Sequence, residues 1–187
     1  YRPDWVVVYG DVNSTVAAAL VAAKLGVRSA HVEAGLRSRD RSMPEEINRL
    51  VTDRLASLLL TPSRDADANL RAEGEPDDEI VFVGNVMIDS MRAALPAARA
   101  TGYRASLGFG RPPILVTLHR PSNVDEPDRL RAIAAALAGI AETHPVLFPA
   151  HPRTADRIRN MGIDLGAVRR LAPLSYLEML DVMEGAL

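Results

Sequence analysis

Acidic and imidazole side chains recur where apolar runs of this chain end. Asp11 follows Val6-Val7-Val8-Tyr9-Gly10, Glu33 closes the run from Val27 to Val32, and Glu45 and Glu46 follow Pro44. Further along, His119 ends Ile114-Leu115-Val116-Thr117-Leu118, and His151 follows Val146-Leu147-Phe148-Pro149. Ionisable groups at such positions need a partner or a proton-transfer role, because burial penalises an unpaired charge. Carboxylates suit general acid–base work, and an imidazole beside arginines suits proton transfer or phosphate contact near neutral pH.

Each of these residues also has a plainer reading. Gly10-Asp11-Val12-Asn13-Ser14-Thr15 has a turn glycine and then hydroxyl and amide groups at a helix start, where sugar hydroxyls or phosphate could bind. It serves equally as an ordinary strand-to-helix turn capped by Ser14 or Thr15, and it matches neither the phosphate-loop nor the dinucleotide glycine pattern. Gly35 offers close backbone approach to a ligand. Arg37, Arg39 and Arg41 can neutralise a diphosphate, or pair with carboxylates. Glu45 stands in a first helical turn, where capping alone would explain it, and Glu46 reads as making a structural bond. His119 and Arg120 stand at a strand end with Asn123 beyond them, and a satisfied loop histidine is the alternative there. His151 and His31 read as structural, the latter as a core residue. His144 reads as a favourable charge at a helix C-terminus.

Strands and helices must alternate to present these groups together. Short apolar runs at Val6–Tyr9, Val27–Val32, Leu58–Thr61 and Ile80–Val83 are separated by helical stretches, one of them alanine-rich up to Lys24. This rhythm predicts a mostly parallel sheet with helices on both faces. A helix is predicted from Met87 to about Arg99, interrupted or redirected near Pro96. Residues 101–113 carry Gly102, Gly108, Gly110, Pro112 and Pro113 and read as a connection between domains. The rhythm then restarts, with strands at Ile114–Leu118, Val146–Pro149 and Val168–Leu171. Helices are predicted at Asp128–Thr143, Thr154–Met161 and Ser175–Met183. Two Rossmann-like domains follow, 1–100 and 114–187. In such sheets ligands bind beyond the carboxyl ends of the strands. If the domains face each other, Asp11 and Glu33 form one wall of a cleft, and His119 and His151 the other.

The 187 residues are 48% hydrophobic and 25% charged, the composition of a globular protein, and the net charge of −2 gives no electrostatic case for nucleic acid or membrane partners. No cysteine is present, which removes disulfides, thiolate ligands and thiol nucleophiles from consideration. Scattered histidines without His-x-His or His-Glu-x-x-His spacing argue against a metal site, and no Gly-x-Ser-x-Gly elbow supports a serine triad. The chain shows no signal pattern and no bilayer-length apolar run, and a cytoplasmic location is expected. Both ends read as cut, since the chain opens on Tyr1-Arg2-Pro3-Asp4 directly before a strand and closes just after a helix.

Taken in order, Gly10-Asp11, His31-Val32-Glu33-Ala34-Gly35-Leu36-Arg37, Pro44-Glu45-Glu46-Ile47-Asn48-Arg49, Val83-Gly84-Asn85 with Ile88-Asp89, and Leu118-His119-Arg120-Pro121-Ser122-Asn123-Val124 resemble the UDP-N-acetylglucosamine 2-epimerases. The resemblance runs through nearly the whole chain. It implies the two-domain glycosyltransferase-B fold, a UDP-sugar substrate bound between two Rossmann-like halves, a homodimer and no cofactor. The implied reaction interconverts UDP-N-acetylglucosamine and UDP-N-acetylmannosamine through elimination of UDP to 2-acetamidoglucal and re-addition. The resemblance assigns acid–base roles to Asp11, Glu33 and Glu45, and puts His119 near the nucleotide phosphates. Gly10, Arg37, Arg120, Asn123 and His151 become candidate substrate contacts, and Glu46, Arg120 and His151 candidates for a second, activating UDP-sugar. Family members also carry a basic loop before the position of Tyr1 and a nucleotide-gripping segment after that of Leu187. If these residues are all there is, the uridine pocket is incomplete and no turnover is expected; if they are part of a longer chain, activity stands. A hydrolysing epimerase that releases N-acetylmannosamine, a UDP-sugar transferase of the same fold, and a binding module without catalysis are the competing expectations.

Overall fold

The computed structural model describes residues 3–187; Tyr1 and Arg2, on which the reading of a cut start partly rests, lie outside the described residues. The chain divides into two compact units, Tyr1–Ser90 and Met91–Leu187.

The first unit is built on strands β1 (Trp5–Tyr9), β2 (Arg28–Val32), β3 (Leu58–Thr61) and β4 (Ile80–Phe82). All neighbours are parallel and the spatial order follows the chain, β1-β2-β3-β4. Parallel neighbours require crossovers, which α1 (Asn13–Lys24), α2 (Pro44–Leu55) and α3 (Arg64–Ala72) supply. The alanine-rich composition of α1 suits a helix, and Gly26 ends it at φ 66°. There Val27 N–H donates to the Ala22 carbonyl (2.9 Å) and Gly26 N–H to that of Ala23 (3.1 Å), the paired closure that a left-handed glycine permits. At the other end the cap position is Val12 rather than Ser14 or Thr15. Thr15 lies inside the helix and donates instead to the Tyr9 carbonyl at 2.7 Å. Pro44 opens α2, where its missing N–H costs nothing. Ser63 holds the cap position of α3, but its buried hydroxyl makes no hydrogen bond. Leu59, Leu70, Ile80, Ala34 and Ala56 form the buried cluster of this unit.

The division between units falls inside α4 (Val86–Ala100), which runs uninterrupted through Pro96. The second unit contains α5 (Tyr103–Ser106), β5 (Ile114–Leu115), α6 (Pro121–Val124), α7 (Pro127–Ala141), β6 (Val146–Pro149), α8 (Pro152–Asn160), β7 (Arg169–Leu171) and α9 (Tyr176–Glu184). Its sheet is parallel in the order β5-β6-β7. Along β6, Val146 and Phe148 pack with Leu130, Ala134 and Leu137 of α7 and Ile158 of α8, whereas Leu147 packs with Leu107 and Val182. That alternation buries both faces of the strand, as expected of a central parallel strand. Residues 101–113, read from sequence as a connection, are part of this unit. The Arg104 N–H donates to Asp181 Oδ2 (2.7 Å) on α9, and Arg169 Nη1 to the Leu107 carbonyl (2.6 Å). The strand predicted over Ile114–Leu118 is regular only at Ile114–Leu115, although Val116 N–H still reaches the Leu147 carbonyl at 2.9 Å.

Candidate functional site

In the first unit Tyr9 lies beside Val32, so β1 and β2 end at the same level. Backbone bonds carry the pairing further: Gly10 N–H donates to the Val32 carbonyl (3.1 Å), and Glu33 N–H and Ala34 N–H both donate to that of Leu60 (3.1 Å each). Gly10-Asp11 and Glu33 therefore leave the carboxyl edge of the sheet side by side. Gly10 has φ 62°, and a Cβ built on it would lie 3.5 Å from Glu33 Oε2, so the Glu33 carboxylate rests over the bare glycine backbone. Glu33 itself has φ 75°. A non-glycine residue in that region carries strain of about 1–3 kcal/mol, which the surrounding bonds must hold in place.

Side chains of α2 bond the surrounding loops. Arg49 bridges two carboxylates: Nη2 pairs with Asp11 Oδ2, and Nη1 donates to Glu46 Oε2 at 3.1 Å. Asn48 Nδ2 donates to the Asp11 carbonyl (2.9 Å) and to Asn13 Oδ1 (3.0 Å). Asp53, 1% exposed, meets His31 Nδ1 through Oδ1 at 2.6 Å, while its Oδ2 accepts from Gly35 N–H at 3.1 Å and pairs with Arg37 Nη1 at 2.7 Å. His31 is fully buried, and its Nε2 donates to the Gly10 carbonyl at 2.8 Å, a group that can only accept.

Glu46 is 2% exposed, with Oε2 accepting from Ser38 N–H (2.9 Å) and Ser38 Oγ (3.0 Å), and Oε1 from Arg39 N–H (2.9 Å). Burial alone would raise its pKa, but these donors and the Arg49 charge outweigh burial and hold it below the ordinary carboxylate value. The carboxylate thereby shapes the loop that leads to Pro44 and Glu45. Glu45 is exposed in the first turn of α2.

Two expectations change. Gly35 does accept a close approach at φ 81°, but from α3 rather than a ligand: an added Cβ would stand 2.6 Å from the Ala66 carbonyl oxygen. Arg37, read as neutralising a diphosphate or pairing with carboxylates, has a side chain only 3% exposed and takes the second role. It donates to both Glu73 oxygens (2.7 and 2.6 Å), to the Leu36 carbonyl (2.7 Å) and to Asp53. Burial opposes its charge, yet the Glu73 bonds and the Asp53 charge raise its pKa on balance. Its guanidinium fixes the loop from beneath.

His119, Arg120, Asn123 and His151 belong to the second unit, beyond the ends of β5 and β6. His119 and Arg120 are exposed and Asn123 half-buried; Arg120 occupies the cap position of α6. His151 caps α8, its Nδ1 accepting from Arg153 N–H at 3.3 Å. Two groups that sequence reading passed over tie these loops together. Thr154 Oγ1 donates to the Leu118 carbonyl at 3.1 Å, next to His119, and Asp125 pairs with Arg153 and Arg157 of α8. In the first unit the residue missed was Asp53. The helical spacing of 46, 49 and 53 sets it on one face with Glu46 and Arg49, a signal that was present in the sequence. Among the described residues, no three His, Cys, Asp or Glu side chains are grouped to hold a metal ion, and no helix is long and apolar enough to cross a membrane.

Comparison with known proteins adds to this geometry. The family model described as UDP-N-acetylglucosamine 2-epimerase matches residues 1–187. The chain is 47% identical over 189 residues to the UDP-2,3-diacetamido-2,3-dideoxy-D-glucuronate 2-epimerase of Pseudomonas aeruginosa, covering 98% of this chain and 51% of that protein. It is 39% identical over 196 residues to the UDP-N-acetylglucosamine 2-epimerase of Methanocaldococcus jannaschii, covering 99% of this chain and 54% of that protein. A crystal structure of the Methanocaldococcus jannaschii enzyme in complex with UDP-GlcNAc and UDP superposes with a TM-score of 0.83 at 40% identity, over 98% of this chain and 53% of that one. The Neisseria meningitidis enzyme bound to UDP-GlcNAc gives 0.88 at 28% identity, over 98% and 53%. The chain thus spans about half the length of these relatives. Its two parallel-sheet units are of the glycosyltransferase-B type. With its Asp11, Glu33 and Glu45 segments in place and the family model matched from end to end, the chain belongs to the UDP-N-acetylglucosamine 2-epimerase family.

Proposed function

We propose that this chain carries the acid–base half-site of an enzyme that inverts carbon 2 of UDP-N-acetylglucosamine, giving UDP-N-acetylmannosamine. The observation that carries the reading is the Glu33 carboxylate, held in left-handed backbone over Gly10 at the shared end of β1 and β2. A carboxylate base takes the carbon-2 proton, the bond from carbon 1 to the UDP oxygen breaks, and the electron pair leaves with UDP. The glucal double bond then receives a proton on the opposite face of carbon 2 while UDP adds back at carbon 1. Nothing is oxidised, so no cofactor is required. The carbon acid is weak, and alignment of base and leaving group supplies much of the rate. Glu33 and Glu45 are the proton carriers in this reading. Asp11, paired with Arg49, is the acid group held in one orientation. His119, Arg120 and Asn123 contact the nucleotide portion, and His151 supports them as a helix cap. The enzyme works in the cytoplasm as a homodimer.

In heavy water, wild-type protein assayed as a chain that includes the flanking segments is expected to place deuterium at carbon 2 of recovered UDP-sugar, and Glu33→Gln to bind UDP without exchange. Unlabelled substrate after full equilibration would overturn the assignment, and free N-acetylmannosamine formed in step with UDP would instead identify a hydrolase. A second reading is supported by the 47% identity to the Pseudomonas aeruginosa protein, against 39% to the Methanocaldococcus jannaschii enzyme. In that reading the same inversion acts on a UDP-2,3-diacetamido uronate. Parallel kcat/KM measurements on the two UDP-sugars decide between them.

A further inference from the structure

Asp53 lies at the far end of α2, and none of the catalytic roles proposed above uses it. Its placement relative to Glu33 is nevertheless specific. One oxygen binds His31, two residues before Glu33, and the other accepts the N–H of Gly35, two residues after it. A single buried carboxylate therefore clasps both limbs of the turn whose middle residue stands at φ 75°. His31 extends the clasp, because its Nε2 holds the carbonyl of Gly10, the residue over which the Glu33 carboxylate rests and which precedes Asp11. Arg37 closes the arrangement from the other side by pairing with Asp53 and Glu73.

Packing alone does not account for this cluster. An apolar residue at 53 would fill the space between β2 and the loop without the cost of burying a carboxylate, an imidazole and a guanidinium together. What only the polar group supplies is a fixed separation between the residue 31 ring and the residue 35 amide. That separation decides whether Glu33 stays in its strained backbone region or relaxes to an extended one. Relaxation would swing its carboxylate away from Gly10 and from the neighbouring Asp11 loop.

We propose that Asp53 and His31 are a positioning pair for proton transfer at carbon 2: Asp53 fixes the Glu33 turn at both ends, and His31 ties that turn to Gly10-Asp11. Neither touches the substrate. This inference rests on the reading of Glu33 as a proton carrier given above, and it adds the residues that hold the base in register.

The test uses Asp53→Asn and His31→Gln in the full chain, each first shown to be folded by circular dichroism at the assay temperature. Asp53→Asn keeps the shape but offers one acceptor oxygen where two were used. It is expected to lower kcat for carbon-2 deuterium exchange about 100-fold, the scale associated with misplacing a reacting group by about 1 Å. KM for the UDP-sugar should stay within about threefold. His31→Gln retains a donor for the Gly10 carbonyl and loses the link to Asp53, and is expected to lower kcat about 10-fold. A role confined to stability would leave kcat of the folded fraction unchanged. The second readout is independent of activity. Backbone chemical shifts of Glu33 should report left-handed geometry in the wild type and its loss in Asp53→Asn. Wild-type kcat in both folded variants, or unchanged Glu33 shifts, would overturn the proposal. Absence of exchange in the wild type would defeat the functional reading, and the Glu33 shifts would then decide the positioning claim by themselves.

Discussion

Replacing Glu46 by glutamine separates a loop-building role from a ligand-binding one. In the folded chain Oε2 accepts from Ser38 N–H, Ser38 Oγ and Arg49 Nη1, and Oε1 accepts from Arg39 N–H. A glutamine has one acceptor oxygen. Placed at the Oε2 position it keeps three donors in weakened form, and its amide nitrogen then confronts the Arg39 N–H, donor against donor. Losing one charge-assisted bond costs about 1.5–3 kcal/mol, and the weakened pairing with the largely buried Arg49 adds to this. Relief from burying a charge offsets part of the loss, leaving an expected destabilisation of about 2–3 kcal/mol against a total stability of roughly 5–15 kcal/mol. Urea unfolding at pH 7 measures it directly. Acid sharpens the test. The folded Glu46 carboxyl titrates below its ordinary value of 4.5, so its stabilisation is complete above that value and is lost as pH falls through the lower folded value. The gap between wild type and Glu46→Gln should therefore close between about pH 4.5 and the acid limit of the fold. A gap under about 0.5 kcal/mol at pH 7, or one that persists unchanged in acid, would refute the reasoning.

Gly35→Ala should be far more damaging than Gly74→Ala. Both glycines have positive φ, but only at residue 35 would the methyl meet backbone, the Ala66 carbonyl oxygen at 2.6 Å. The glycine-only strain common to both is about 1–2 kcal/mol, so the difference between their unfolding midpoints in urea reports the clash. Asp67 accepts from Thr61 Oγ1 and from Arg64, and the Thr61 bond is the first cause of its lowered pKa. Asp67→Asn should therefore destabilise at pH 7 and lose its effect below the usual carboxylate range, as measured by thermal melts across pH. In the second unit, Asp125→Ala removes the carboxylate whose two arginine partners tie the α6 exit to α8. Amide exchange over residues 119–125 should accelerate while that of β6 stays unchanged; uniform protection across both would count against the tie.

The elements themselves were largely legible, since apolar runs and glycine stops are local signals. Val6–Tyr9 is a strand because β-branched residues suit a parallel ladder, although only Val8 is buried and Val7 and Tyr9 are exposed, and Gly26 ends α1 by a bond pattern only a few residues wide. The sequence left readings open or incomplete where partners lie far apart in the chain. Gly35 looked like a ligand-facing glycine, yet the atom it accommodates is at residue 66. Arg37 was open to a diphosphate or to carboxylates, and the partners that decide it are at residues 53 and 73. Pro96 looked like a break. The Arg92 carbonyl that loses its donor belongs to an exposed residue, so the lost bond leaves no buried acceptor unpaired. In each case a residue type alone does not reveal the group that meets it in three dimensions.

The candidate site shows the same division. Asp11 and Glu33 drew attention because they stand where strands end, and strand ends are visible in one dimension. The apparatus that holds them is concentrated on α2, where Glu46, Asn48, Arg49 and Asp53 bond the surrounding loops. A helix is well suited to such anchoring, because its backbone is already satisfied internally and its side chains can supply donors and acceptors to loops that lack them. Glu46 holds the segment entering the helix, Asn48 and Arg49 hold the Asp11 loop, and Asp53 holds the Glu33 turn. Three loops are thereby referred to one rigid axis. Moving that axis would move all of them together, so the Asp11 loop and the Glu33 turn keep a fixed relation to each other.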